Sequence, residues 1–324
     1  MSRYLLRRVM QSGPLLVLIS VAVFVLINIV PGGPTAAYEN NPRLTSEDLA
    51  RIERELGLDQ PIHVRYLHWL GALLRGDWGY SLVSRRPVLT EIGERLPNTI
   101  YLLGVTFLVT MALAIPAGML SAVRQYSLFD HATTTLAFMG QSVPIFWFGL
   151  VLIIVFHATL RNPLTGAPLL PGGGMYTLGA PFSVWDRIDH LLLPVAMLTL
   201  ATAAQYIRYM RASMLEVIHE DYIRTARAKG AGGRRVIWTH AFKNAALPLV
   251  TIVALDLPTL FSGALFTETI FSWPGMGRLF FDSALRFDYA LLMGIIIVNA
   301  ALIILSNLAA DLVYGALDPR IKYG

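Results

Sequence analysis

Residues 99–123 read TIYLLGVTFLVTMALAIPAGMLSAV, 25 consecutive positions without a charged side chain. A helix crosses the hydrocarbon core of a bilayer with roughly 20 predominantly apolar residues, and lipid offers its backbone no hydrogen-bond partner. The stretch therefore reads as a transmembrane helix. Further apolar stretches occupy residues 14–30, 135–159, 191–209, 245–271 and 289–314. Together they predict an all-α protein, a polytopic bundle of about six transmembrane helices, with residues 1–324 as one transmembrane domain.

Composition points the same way. The chain is 55% hydrophobic and only 15% charged, with a mean hydropathy of +0.56, which is too apolar for a water-soluble domain. The first apolar stretch follows Arg3, Arg7 and Arg8 and precedes Thr35-Ala36-Ala37, the layout of a signal peptide. Its length and the later spans favour a retained helix. The formal charge of +5 would suggest nucleic acid in a soluble protein, but here topology explains it, so no nucleic-acid partner is assigned. With no cysteine, a disulfide framework, a thiolate nucleophile and a cysteine-ligated metal are all excluded.

Cytoplasmic loops retain Lys and Arg. An amino terminus inside the cell places Arg3, Arg7, Arg8, Arg124, the basic residues from Arg208 to Lys243, Arg320 and Lys322 in the cytoplasm. The two shorter external loops then hold Arg161, Arg187, Arg278 and Arg286. Both termini are expected in the cytoplasm. Residues 31–98 form a long external loop with two expected helices. Thr45-Ser46-Glu47-Asp48 supplies a start signal and Gly57 a stop for the first; Leu67, Leu70, Leu73 and Leu74, with Trp69 and Trp78, suggest a second one lying along the membrane surface.

Residues 211–246 form a polar interruption that is long for a connection between neighbouring spans. A helix is expected over residues 216–229, stopped by Gly230 in the left-handed region, and another over residues 234–244 after Gly232-Gly233. Ala226, Ala228, Gly230 and Ala231 permit close backbone approach by a partner, while Arg224, Arg227, Lys229, Arg234 and Arg235 surround the contact with charge. Contact of these arginines with anionic lipid headgroups is the plainer reading of the same composition.

Residue order favours the first reading. Asp221-Tyr222-Ile223-Arg224-Thr225-Ala226-Arg227-Ala228-Lys229-Gly230, then Arg234-Arg235, then His240-Ala241-Phe242-Lys243-Asn244 and Leu247-Pro248, resembles the coupling loop of type I ABC-importer permeases, in their peptide, opine and nickel uptake branch. The general loop of that superfamily begins Glu-Ala-Ala. Here Arg224 and Thr225 replace its first two positions, Ala226 and Gly230 match, and the distance to Leu247-Pro248 is longer, as in the peptide-type branch. Tyr4-Leu5-Leu6-Arg7-Arg8, Leu56-Gly57-Leu58-Asp59-Gln60-Pro61, the run from Glu268 through Trp273-Pro274-Gly275 to Leu279, and Leu317-Asp318-Pro319-Arg320 extend the resemblance along nearly the whole chain. Gly33 stands where the family's Pro-Gly-Asp-Pro element has Asp.

The resemblance implies a B-type permease that pairs with a second permease, as a heterodimer, in a bacterial or archaeal cytoplasmic membrane. Two cytoplasmic ATPases would dock on the coupling loops, and an extracytoplasmic binding protein would deliver peptides or a similar small solute. Nickel, opines, glutathione-like compounds and oligosaccharides stay open as substrates. The lysines are Lys229, Lys243 and Lys322, and none lies in a phosphate-cradling loop, so no cofactor is expected on this chain and ATP belongs to the partners. The expected product is a non-catalytic transport subunit. A stand-alone secondary transporter is the alternative class; one intramembrane aspartate and no visible repeat argue against it. An intramembrane enzyme ranks last, since neither paired metal-binding histidines nor a Gly-x-Ser-x-Gly element occurs.

Ionisable and polar residues inside spans are candidates for the pathway. Asp256 lies in the fifth span just before Pro258 and would line the path or fix a helix contact. Gln141, Ser142, Gln205, Asn299 and Asn307 invite the same two readings, with packing favoured. His157 lacks a second ligand at helical spacing. Glu268, with Trp273 in the glycine-rich turn that follows, reads either as a gate or receiver for the binding protein or as an interfacial turn anchored by the indole.

Overall fold

A computed structural model describes residues 2–29, 57–256 and 264–317, with positions 35, 45, 47, 51 and 54. The expected helix before Gly57, the Gly33 element, Pro258 and the residues from Asp318 onward lie outside the described residues, wholly or mostly.

Helix α1 spans Ser2–Ile29. Helix α2, Ile62–Leu74, follows Pro61, whose fixed φ suits a helix entry, and none of its residues is buried. It leans on α1 through the rings of Phe24, Tyr66 and Trp69, whose centroids are 5.5–6.0 Å apart. Helix α3, Val88–Val123, begins well before the apolar run of residues 99–123. Its first turns carry Glu91 and Glu94, both paired with Arg86, so they extend the helix beyond the lipid rather than ending it.

The third span departs from expectation. A single helix over residues 135–159 is replaced by α4, Leu128–Ser142, and α5, Ile145–Leu152, which runs on as a π-helical segment Ile153–Thr159; the two arms meet at 102°. Pro144 has no N–H to continue α4, and its ring holds Val143 in extended backbone at φ −81° and ψ 128°. Among the described residues, five helices are long and apolar enough to span a membrane, or six if this bent pair counts as one.

Helix α6, Val184–Ile218, starts at Ser183, whose hydroxyl accepts from the Asp186 N–H, and continues for 35 residues. At 1.5 Å per residue it measures about 52 Å, against roughly 30 Å of hydrocarbon. The helix expected over residues 216–229 is divided at His219 and Glu220, so that α6 ends and α7, Asp221–Ala228, begins afresh. The helix expected over residues 234–244 has no end of its own. A turn at Gly233–Arg235 and a π-helical segment Val236–Ala241 lead without interruption into α8, Phe242–Asp256. Helices α9 (Leu265–Ile270), α10 (Met276–Leu285) and α11 (Tyr289–Leu317) complete the bundle.

Helices α3 and α6 form its spine. At Gly118 an added Cβ would stand 2.7 Å from the Met210 Cβ and 2.8 Å from the Ile207 carbonyl oxygen, so the two backbones touch there. Around this crossing Ala114, Met119, Met210 and Met214 join Ile223 of α7, Val236, and Leu249 of α8 in one buried cluster. Clusters around Val88, Met276 and Ile295, and around Leu102, Leu198 and Trp273, fill the other end. Thr99 and Gly118, on the same helix, mark the two ends about 28 Å apart.

Candidate coupling and gating sites

Helix α7 is short, charged and terminated by a complete left-handed cap. Gly230 adopts φ +80°. Its N–H donates to the Arg227 carbonyl at 2.9 Å, and that of Ala231 to the Ala226 carbonyl at 3.1 Å, which satisfies two carbonyls at the helix end. Among the described residues nothing beyond its chain neighbours lies within 4 Å of the place a Gly230 Cβ would take, so the turn presents bare backbone outward. Asp221, Tyr222, Arg224, Thr225, Arg227, Ala228, Lys229, Arg234 and Arg235 are all exposed. Arg224 pairs with Asp221 at 3.3 Å, and the Tyr222 hydroxyl accepts from the Asn244 amide at 2.9 Å, tying α7 to the entrance of α8.

The small residues do not all share the outward face. Ala226 and Ala231 are half-buried against the cluster that contains fully buried Ile223 and Val236, whereas Ala228 and Gly230 face out. The reason is periodic: Ile223 and Ala226 are three apart on a helix and share a face. Bulk added at Ala226 therefore strikes the protein's own core first, and residues 228–230 are the part of the turn free for close approach.

At the other end of α3 lies a buried carboxylate network. Glu268, fully buried, accepts from the Thr99 hydroxyl at 2.8 Å and from the Gly277 and Arg278 N–H groups at 2.6 and 3.1 Å. Those amides belong to the first turn of α10, where backbone donors lack partners within the helix and negative charge is favoured. Thr99 also accepts the Met276 N–H at 2.7 Å. An added Cβ at Gly275 would collide with the Glu268 carboxylate and at Gly277 with the Leu265 Cα, so both glycines are needed for α9 and α10 to meet.

Trp273 is fully buried as well. Its indole N–H donates to the Asn98 carbonyl at 3.0 Å, and its ring stacks on Tyr101 at 6.3 Å. The Glu268 and Trp273 side chains are both turned into the bundle, where together they tie α3, α9 and α10 to one another. Beside them, Gly174 N–H donates to the Phe271 carbonyl at 2.7 Å, so the loop of residues 172–174 is pressed against the end of α9. His157 lies in this region with Nδ1 3.1 Å from the Leu170 carbonyl.

Asp256, at the end of α8, accepts from the Tyr206 hydroxyl of α6 at 2.7 Å. Tyr206 is buried and Asp256 only partly so, leaving the carboxylate in contact both with the bundle and with the space beyond it. Asp256→Asn preserves an oxygen for Tyr206 but removes the charge. A drop in substrate uptake with unchanged yield of assembled complex is expected of a pathway carboxylate; unchanged uptake and yield would remove the residue from the site.

A pair that the sequence did not announce anchors the start of α4. Asp130, capping the first turn of α4 with Ser127, receives two hydrogen bonds from Arg211 of α6, at 2.7 and 2.8 Å, and one from the Tyr126 N–H at 3.0 Å. The fork geometry locks α4 to the spine close to the level of Gly118. Ser127-x-x-Asp130 has the spacing of a helix start, whereas the arginine that completes the pair lies 81 positions later.

The architecture is that of a membrane-embedded transport component: a helical bundle with an exposed capped helix at one end and a buried clamp at the other. Residues 114–323 match the family described as binding-protein-dependent transport system inner membrane component, and residues 1–103 match that of its amino-terminal region. The chain belongs to this family. It is 41% identical over its full length to the oligopeptide transport system permease protein AppB of Bacillus subtilis strain 168, and 39% identical to the dipeptide transport system permease protein DppB of Escherichia coli K12, covering 99–100% of each relative. The di/tripeptide transport system permease DppB of Pseudomonas aeruginosa UCBPP-PA14 is 36% identical. An inward-facing structure of the MetNI methionine ABC transporter shares the fold, with a TM-score of 0.55 at 16% identity over 71% of this chain and 97% of that one. The protein is thus a multi-pass inner-membrane permease subunit, a conduit rather than a catalyst, and a carrier working alone is excluded.

Proposed function

We propose that this permease imports short peptides handed over by an extracytoplasmic binding protein, driven by two cytoplasmic ATPases that seat on α7 and its turn. The observation that carries this reading is the exposed, glycine-capped α7, joined through buried Ile223 to the crossing of the two longest helices. A partner that moves α7 must move the spine with it. Arg224, Arg227, Lys229, Arg234 and Arg235 rim the contact; the partners bind ATP, and this chain holds no cofactor. A second, different permease completes the path, with Asp256 lining it and the Glu268–Trp273 clamp holding the outer gate together. Peptide as cargo is favoured by the names of the relatives.

This orientation puts both termini and Gly230 in the cytoplasm. Since the chain has no cysteine, a single introduced thiol reports on its own position. A Gly230→Cys chain in intact cells is expected to resist a membrane-impermeant maleimide and to react in inverted vesicles; labelling from outside would reverse the topology. Co-purification of the wild-type chain with a nucleotide-hydrolysing subunit, whose activity rises with a peptide-loaded binding protein, tests the function itself.

A further inference from the structure

We propose that the cavity between α1, α2 and the start of α11 is a site for a glycerophospholipid, with Arg65 holding its phosphodiester and Asp77 its ammonium head group. The cavity measures about 470 Å³. Phe24 and Ile27 of α1 and Met293 of α11 form apolar walls, while Arg65 of α2 and Asp77 just after it supply opposite charges. The decisive group is Arg65. Among the described residues its buried Nε–H has no acceptor and its guanidinium no ion-pair partner, so the remaining N–H groups are left for a ligand in the cavity that Arg65 lines. An enclosed guanidinium N–H without an acceptor is costly, and a planar donor fork is matched by the two oxygens of a phosphodiester.

The surroundings select lipid over a water-borne zwitterion. Trp69 and Trp78 line the cavity, the residue type that favours the headgroup level of a bilayer, and Leu26, Ile29 and Leu67 on the same two helices are exposed. Helix α2 has no fully buried residue, and its exposed Ile62, Leu67 and Leu74 are free to meet the membrane that would deliver the lipid. Asp77 has one carboxylate oxygen engaged by the Gly79 N–H at 3.0 Å, which leaves the other for an ammonium group. Phosphate and ammonium on one apolar molecule describe a phosphatidylethanolamine.

The test is native mass spectrometry of the full-length chain in mild detergent, supplemented with dioleoylphosphatidylethanolamine, dioleoylphosphatidylglycerol or dioleoylglycerol. Retention of one phosphatidylethanolamine is expected on the wild-type chain, over the glycerol head group and with no retention of the diglyceride. Arg65→Gln is expected to reduce retention about tenfold by removing the charge-assisted fork. Ala72→Trp is expected to abolish it by filling the cavity that Ala72 lines. Equal retention of phospholipid and diglyceride on the wild-type chain, undiminished retention in both variants, or displacement of the lipid by a millimolar dipeptide would each overturn the proposal. Retention is read without ATPases or a binding protein, so it stands apart from the transport reading.

Discussion

Replacing Gly230 with valine is expected to give a normally inserted permease that no longer couples to its ATPases. A β-branched residue at φ +80° carries a backbone penalty on the order of 1–3 kcal/mol, and the turn can relax only by giving up the two hydrogen bonds that close α7. Among the described residues nothing beyond its chain neighbours lies within 4 Å of the new Cβ, so the added bulk faces whatever docks there. Asn tolerates the left-handed region better than most side chains, so Gly230→Asn should restore the cap while retaining some bulk. The comparison separates backbone from size: uptake and substrate-stimulated ATP hydrolysis are expected to be lost in the valine variant and partly recovered in the asparagine one. Full uptake in both would remove α7 from the coupling path.

Glu268→Ala is expected to be the most destabilising single change in the bundle. It strands the Gly277 and Arg278 amides and the Thr99 hydroxyl in a dry site and opens a cavity between α9 and α10. Buried donors without acceptors cost about 1–3 kcal/mol each, which sums to several kcal/mol here. A fall in the unfolding midpoint on the order of 10 °C in detergent follows. Glu268→Gln keeps one oxygen but turns an NH2 group toward donors, and should lie between the two. A midpoint within about 2 °C of wild type for the alanine variant would show that the network contributes little.

These two sites differ in how far the sequence revealed them. A glycine needed for positive φ leaves a local trace, a helical composition that stops at one small residue, and Gly230 could be read directly. The spans were legible for the same reason, since lipid acts on each segment independently. The break at Val143–Pro144 was masked because apolar residues continue on both sides of it, and hydropathy does not register a missing N–H. Glu268 was noticed as a charge at membrane depth, yet its acceptor role depends on Thr99, 169 positions away, and on two amides without side-chain identity. The Asp130–Arg211 pair failed to show for the same reason. The division of α6 from α7 at His219 and Glu220 left no signal, since Glu220 is itself a good helix former.

The length of α6 has a mechanical consequence. A rod of about 52 Å held at Ile207 and Met210 by the Gly118 crossing is a lever with unequal arms, about 37 Å toward Val184 and about 14 Å toward Ile218. A tilt of roughly 5° about that point would sweep the Val184 tip through about 3 Å and the Ile218 tip through about 1 Å in the opposite direction. An inward push on the stub beneath α7 would thus arrive beside Leu191 and Trp273 as an outward swing, with its sign reversed and its amplitude roughly doubled.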